Sequence, residues 1–480
     1  MQRKLAINAF LNTLKTVLGI VFPLITYPYI SRVLGVENIG VYNFSASILS
    51  YFSLIAALGI STYGVREGTQ YRNDKYAIEK FVSEIFTINV ISTLIAYILL
   101  FGLLFGTPFI AKYRGPVLIL SAEIFFATIG VSWVCNIYED FLAIAVRTIA
   151  FQLLSLVLIF LLVRSSDDLI KYLIIILLSN SGANLFNFFY IRKKYCKFQL
   201  VTNSNWLRHL KPIMIIFSTS VAITIYVSAD TTMLGFMMDD YHVGLYSTAV
   251  KIYTIIKNVL AAILMVMIPQ FALFFSRGDE NRISELYTRI FNVLTAIMLP
   301  ICMGLFSLSH DIVLLVSGNQ FIGAANALKL LSLAVSFSLY SYMYTQCILI
   351  PNKQEKVVFI ATAVSALLNV ILNLVLIPIW GINAAALTTV LAEMTTFIIA
   401  YYYSRKTVRL GNIKKNLISV MTGCISIIAI CGSLSMVDNM IIRVVGSICG
   451  SILSYFIILQ LLHNPVLNQM KQLILDRKNN

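Results

Sequence analysis

Residues 81–104 read FVSEIFTINVISTLIAYILLFGLL, an apolar run with a single charge. Coiled as an α-helix, such a run is about 36 Å long at 1.5 Å per residue, enough to cross a hydrocarbon layer of about 30 Å. A helix also satisfies its own amides, which lipid cannot do. The pattern repeats on both sides, at 9–30, 39–60, 117–138, 149–163, 172–191, 213–237, 244–270, 291–310, 325–350, 358–378, 382–403, 417–436 and 442–462. The chain is therefore predicted to be an all-α polytopic membrane protein with about 14 transmembrane helices. Composition agrees: 59% of the 480 residues are apolar and 12% charged, against about 45–50% and about 25% in soluble domains.

This plan excludes several functions. The longest stretches outside the runs, 61–80 and 192–211, are too short for a soluble catalytic domain of about 100 residues. A net charge of +15 and a pI near 9.4 would suit nucleic acid if the basic groups shared one soluble face. They do not: with the N-terminus inside, 26 of the 36 Lys and Arg fall on one side, 6 on the other, and Lys15, Lys251, Lys257 and Lys329 within the spans. The positive-inside rule accounts for that bias, puts both termini in the cytoplasm and removes nucleic acid as a partner. The start, Met1-Gln2-Arg3-Lys4, has no small-residue cleavage site behind it and reads as the lead-in to the first span. The seven cysteines form no CxxC pair, and His209, His242, His310 and His463 are scattered, so no metal or other cofactor is expected. Asp167-Asp168 and Asp239-Asp240 lie in short loops and read as solvated charges, not as an enzyme's metal-binding motif.

An internal echo divides the chain. Leu34-Gly35 followed by Gly40-Val41-Tyr42 recurs as Leu234-Gly235 followed by Gly244-Leu245-Tyr246, each at the junction of the first and second helices of a half. Six helices per half make the repeat parallel, a common transporter plan with the binding site between the halves. The expected domains are 1–211 and 212–410, each a six-helix lobe, and 411–480, two further helices and a cytoplasmic tail.

Polar residues inside the spans fall on helix faces. Asn8, Asn12, Lys15, Gly19 and Thr26 share one face, as do Ser247, Lys251, Thr254 and Asn258, with Lys257 beside the last. Ser220, Thr224, Ser228 and Thr231 form a line with Asp230 next to it. Lys329, Ser332, Ser336 and Tyr340 form another, and Thr362, Ser365, Asn369 and Asn373 a fifth. A lone serine line is ordinary interhelical glue. A charge near a helix centre costs about 2.5–3.5 kcal/mol on insertion scales and usually faces water or a bundle interior. The lysines therefore predict a net cationic cavity suited to an anionic substrate, the phosphate of a lipid being the obvious one. The substrate-binding candidates are Lys15, Lys251, Lys257, Lys329, Asn12, Thr254, Asn258, Asn369 and Asn373. Asp230 is the first candidate for proton or sodium coupling, and Glu123 and Glu393 are candidates for an interface or for coupling.

Longer segments carry a resemblance. They are Tyr29-Ile30-Ser31-Arg32-Val33-Leu34-Gly35-Val36-Glu37-Asn38-Ile39-Gly40-Val41-Tyr42, Gly59-Ile60 through Tyr63-Gly64-Val65-Arg66-Glu67, Asp230-Thr231-Thr232-Met233-Leu234-Gly235, Val243 to Ile252, Ile268-Pro269, and Leu368-Asn369 through Gly381-Ile382-Asn383-Ala384-Ala385 to Glu393. Together they resemble the polysaccharide flippases of the multidrug/oligosaccharidyl-lipid/polysaccharide exporter superfamily, which includes the O-antigen flippases. The resemblance implies a V-shaped pair of six-helix lobes plus two C-terminal helices that alternates access and is not an enzyme. Its substrate would be an undecaprenyl-diphosphate-linked oligosaccharide, carried from the cytoplasmic to the outer leaflet of a bacterial inner membrane for O-antigen, capsule or related polysaccharide. A polysaccharide polymerase and a chain-length regulator would be partners beside the membrane lipids. Arg66 and Glu67 would belong to a cytoplasmic gate or structural turn. The alternatives are a lipid II flippase and a drug or cation exporter of the same superfamily; the latter would favour carboxylates and aromatics over lysines.

Overall fold

The computed structural model describes residues 17–202, 205–411 and 413–469 in full, and the backbone course of 2–16 and of 204. Among the described residues, twelve segments are long and apolar enough to cross a membrane. The difference from about 14 has two sources. Gln2–Ala57 (α1) runs through both of the first two predicted spans, with its helical course interrupted at Gly35 (φ 77°, ψ 174°), a left-handed φ that glycine adopts without Cβ strain. Arg114–Gly130 (called α4 below) holds the fourth predicted span but is only 17 residues long, about 26 Å at 1.5 Å per residue.

The chain divides into two compact units, Met1–Gly244 and Leu245–Asn480. The first unit therefore runs past the 211/212 boundary expected from the repeat and takes in the next helix. It holds α1, Ile60–Gly68 (α2), Lys75–Gly106 (α3), α4, Trp133–Ile137 (α5), Phe141–Leu162 (α6), Leu169–Lys194 (α7) and Leu210–Met237 (α8), with the first turn of Asp240–Arg277 (α9). Asp74 caps α3 by accepting from the amides of Tyr76 and Ala77, satisfying two of the orphan donors of a helix start. The buried cluster of Tyr63, Phe81, Trp133, Ile137 and Phe198 fastens α2 and α5 to α3 and to the irregular linker behind α7. Elsewhere large apolar side chains such as Ile98 and Leu94 of α3 are exposed, as a lipid-facing surface requires.

The two copies of the sequence echo meet inside this unit. A Cβ placed on Gly40 would overlap the carbonyl oxygen of Asp240, and one on Gly244 the carbonyl oxygen of Val36. Val36 precedes Gly40 by four residues and Asp240 precedes Gly244 by four, so the contact is reciprocal. The Asp240 carboxylate is held by Tyr113 (2.7 Å) and by Lys112.

At the α5–α6 turn Asp140 accepts from Lys194 Nζ (2.8 Å), Tyr190 OH (2.6 Å) and Tyr195 OH, tying α6 to the end of α7. Burial works to raise the Asp140 carboxyl, but these hydrogen bonds outweigh it and hold the group at about 2, below its ordinary 3.8. A depressed carboxyl stabilises the fold above its unfolded pKa and loses that contribution as pH falls through the folded one. Asp140→Asn should therefore melt below the wild type near neutral pH, and the gap should close as pH falls from about 4 towards about 2, read by thermal unfolding in detergent.

The second unit holds the remainder of α9, then Glu280–Ser307 (α10), Ser309–Ser317 (α11), Ala325–Tyr344 (α12), Glu355–Trp380 (α13), Ile382–Ser404 (α14), Lys414–Leu434 (α15) and Met440–Leu461 (α16). The last two helices pair with each other and lean on α10, burying Ala296, Cys424, Ile427, Tyr455 and Leu459. Arg443 at the start of α16 grips Asp311 of α11 through two nitrogens, at 2.5 and 3.0 Å, the bidentate geometry that arginine favours. Six of the seven cysteines are buried and all are free, in keeping with small apolar packing groups.

Candidate functional site

In the second unit the polar stripe of α9 is in place. Lys257 Nζ lies 3.0 Å from Glu393 Oε1 on α14, and the Tyr253 hydroxyl donates to the same oxygen at 3.1 Å. Glu393 is almost wholly buried, whereas the Lys257 side chain keeps 28% of its exposure. A coupling candidate and a substrate-binding candidate thus form one ion pair, and Tyr253 completes it.

Lys251, six residues earlier, is half-buried and has no ion pair or hydrogen bond among the described residues. Thr254 on the same face is half-buried and Asn258 exposed. Lys329 is exposed near the start of α12 and lies over the Phe306 ring, 4.6 Å from its centroid, the placement of a snorkelling side chain. Asn369 and Asn373 are buried: Asn373 donates to Asn369 at 3.2 Å, and Thr388 of α14 donates to Asn373 at 2.6 Å. In this arrangement they bind α13 to α14, the use expected of amides between membrane helices.

In the first unit Asp230 is buried on α8. Near it Ser228 meets Ser50 (3.0 Å) and Thr232 meets Tyr51 (3.2 Å), both on α1. Arg66 and Glu67 pair with each other at 3.0 Å near the end of α2, with Arg66 largely exposed. The side chains of Asn12 and Lys15 lie outside the described part of the structure.

Two features escaped the sequence reading. The first is Glu84, the one charge of the opening quotation, which is fully buried and accepts from Arg208 (2.8 Å) and meets His209 Nε2 (2.9 Å). The Tyr63 hydroxyl sits 2.7 Å from His209 Nδ1, so a neutral ring donating from Nε2 and accepting at Nδ1 satisfies both neighbours. This clamp fixes Tyr63, three residues before Arg66, to the linker between α7 and α8. A lone acid in an otherwise apolar run was the available signal. The second is an almost wholly apolar groove of about 540 Å³ between α9, α10, α11, α15 and α16, lined among others by Ile256, Pro300, Ile301, Ile448, Ile452 and Phe456. Nothing in a periodicity marks it, because it needs five helices to close. Among the described residues no cluster of His, Cys, Asp or Glu could hold a transition metal.

These features place the chain among known proteins. A family model described as polysaccharide biosynthesis protein matches residues 5–275. The chain belongs to that family. It is 22% identical over 376 residues to a putative O-antigen transporter of Shigella dysenteriae, a match covering 77% of this chain and 92% of that protein. It is 26% identical over 179 residues to a probable low-salt glycan biosynthesis flippase, Agl15, of Haloferax volcanii, which covers 36% of this chain and spans only 37% of that relative's length. The structure of the lipid II flippase MurJ in an inward closed conformation superposes with a TM-score of 0.78 at 16% identity, covering 96% of this chain and all of that one. The chain is thus a multi-pass membrane protein of the polysaccharide biosynthesis family, and its fold is similar to that of MurJ.

Proposed function

We propose that this transporter flips a polyprenyl-diphosphate-linked oligosaccharide from the cytoplasmic to the outer leaflet of a bacterial cytoplasmic membrane, with both termini cytoplasmic. The observation that carries this reading is the two-sidedness of α9. Ile256 of that helix lines the apolar groove, while Lys251 and Lys257 lie on other faces of it. Five residues separate Lys251 from Ile256, a rotation of about 140° at 100° per residue. One helix therefore offers an apolar surface to a polyprenyl tail and ammonium groups to a diphosphate, which lysine binds as a compact and reversible point charge.

The membrane potential supplies the direction. Moving about two negative charges out of a negative interior is favoured by roughly 4–5 kcal/mol per 100 mV, at about 2.3 per charge. A polymerase and a chain-length regulator would then act on the flipped unit.

The test is deletion of the gene, followed by complementation with wild type or Lys251→Ala. Deletion should trap full-length lipid-linked units on the cytoplasmic leaflet and remove surface glycan, and the wild-type gene should restore it. Lys251→Ala should insert normally and restore less than a tenth. Trapped lipid II would reassign the substrate to the peptidoglycan precursor, and an unchanged lipid pool would favour a drug or cation exporter. Full rescue by Lys251→Ala would remove the ammonium from the mechanism.

A further inference from the structure

The first unit holds a cavity of about 270 Å³ among α1, α2, α3, α4 and the turn into α5. Pockets for drug-sized ligands run from about 300 to about 1,000 Å³, so this one suits a single sugar ring. Its walls are of two kinds. Ser53, Ser61, Asn89, Glu123, Thr128 and Ser132 bring oxygens, while Ile60, Ile124 and the Trp133 indole bring carbon. A pyranose divides in the same way, with hydroxyls around its edge and C–H groups on its faces.

The aromatic wall is held in place before any ligand arrives. Trp133 is 5% exposed. One flank of its indole lies against Gly64, where a Cβ would fall 2.6 Å from Cε3, and Phe81 meets it edge-on with 6.2 Å between centroids. A side chain fixed in this way loses little further freedom on binding. The electron-rich face of an indole also attracts the weakly positive C–H groups of a sugar.

The oxygens suit hydroxyl groups. Asn89 donates its Nδ2 to the Ala56 carbonyl at 2.9 Å, which leaves Oδ1 to accept. The Thr128 hydroxyl is spent on the Ile124 carbonyl and on Thr93, so it serves as wall. Glu123 is half-buried and hydrogen-bonded to the Asn180 side chain of α7; its carboxylate accepts only, whereas the hydroxyls of Ser53, Ser61 and Ser132 donate and accept. Two acceptors and three two-way groups complement a ring whose own hydroxyls do both. The mouth opens past Ala57, Ser61 and Ala127, all exposed, beside the Leu58-Gly59 turn.

We infer that this cavity is a sugar subsite that takes one neutral pyranose ring of the carried oligosaccharide. A uronic acid should be rejected, because its carboxylate would face that of Glu123 in a site shielded from bulk water, where like charges repel more strongly. The inference rests on the flippase reading above and adds to it the class of sugar that the protein accepts.

The experiment uses the full-length protein, purified without sugar-based detergents and placed in lipid nanodiscs. It is titrated with the methyl glycosides of glucose, galactose, N-acetylglucosamine and glucuronic acid, and binding is read by saturation-transfer NMR, which registers millimolar affinities. At least one neutral glycoside should receive saturation and the glucuronide none. Glu123→Gln, which keeps the shape and removes the charge, should weaken the neutral glycoside about tenfold, the usual scale for a hydrogen bond to a charged group, and let the glucuronide bind. Ala127→Phe narrows the mouth at an exposed position and should abolish binding while the protein melts as the wild type does. Saturation of no neutral glycoside, equal binding of the glucuronide, or affinities untouched by both variants would overturn the subsite. The outcome is separable from that of the gene deletion. Trapped lipid-linked units without glycoside binding would remove the subsite alone, and glycoside binding with an unchanged lipid pool would remove the flippase reading and leave the subsite.

Discussion

Replacing Lys257 alone with methionine should destabilise the protein by about 3–5 kcal/mol, the usual cost of leaving one partner of a buried ion pair behind. Glu393 is nearly inaccessible and its Oε1 is shared between Lys257 and Tyr253. With the ammonium gone, the carboxylate retains one hydroxyl donor and must take up a proton or draw in water. Glu393→Leu alone should cost a similar amount, because it strands the ammonium. Replacing both, as Lys257→Met with Glu393→Leu, should recover most of the lost stability, since apolar groups of similar volume commonly substitute for a buried pair at little cost. Surface glycan should stay below a tenth of normal in that double variant if Lys257 also meets the substrate. The two readouts separate the roles: a stable double variant with full export would make the pair a purely structural fastening between α9 and α14. Measuring all three variants also yields the coupling energy of the pair.

The helices were legible in the sequence because each is specified locally. A run such as 81–104 needs no partner to be recognised, and the positions of most spans agree with the structure to within a few residues. Only at Gly35 did periodicity divide what the backbone nearly joins. The lysines of α9 were legible for the same reason, as charges on a helical stripe carry an insertion cost that function or pairing must offset. What each polar residue does was not legible. Asn369 and Asn373 sit on a stripe as regular as that of Lys251, yet they bond to each other and to Thr388, and only the approach of α14 decides this. Glu393 had no stripe to announce it, and the pairing of Glu84 left no local sign because its partners lie more than 120 residues away. The apolar groove belongs to the same class, since surfaces built from several helices leave no period in any one of them.

The reciprocal glycine contact should give the second large effect. Gly40→Ala and Gly244→Ala each place a methyl on a backbone carbonyl, that of Asp240 and of Val36 respectively. A side chain in the way could rotate, but these carbonyls are held by their own helices, so the segments themselves must part. Overpacking of this kind typically costs about 1–3 kcal/mol, occasionally more. Gly102→Ala is the control, since a Cβ there meets nothing within 4 Å, and alanine in a helix interior is favoured over glycine by up to about 1 kcal/mol. In detergent the first two variants should melt several degrees below the wild type and the third at or above it. The double variant should cost less than the sum of the two, because once one alanine has parted the segments the second meets space already opened. Strict additivity would show that the two glycines act at separate contacts. The reciprocity also gives a physical reason for the echo between Gly40-Val41-Tyr42 and Gly244-Leu245-Tyr246: when each copy packs on the backbone of the other, a change in one alters the surface that the second must fit.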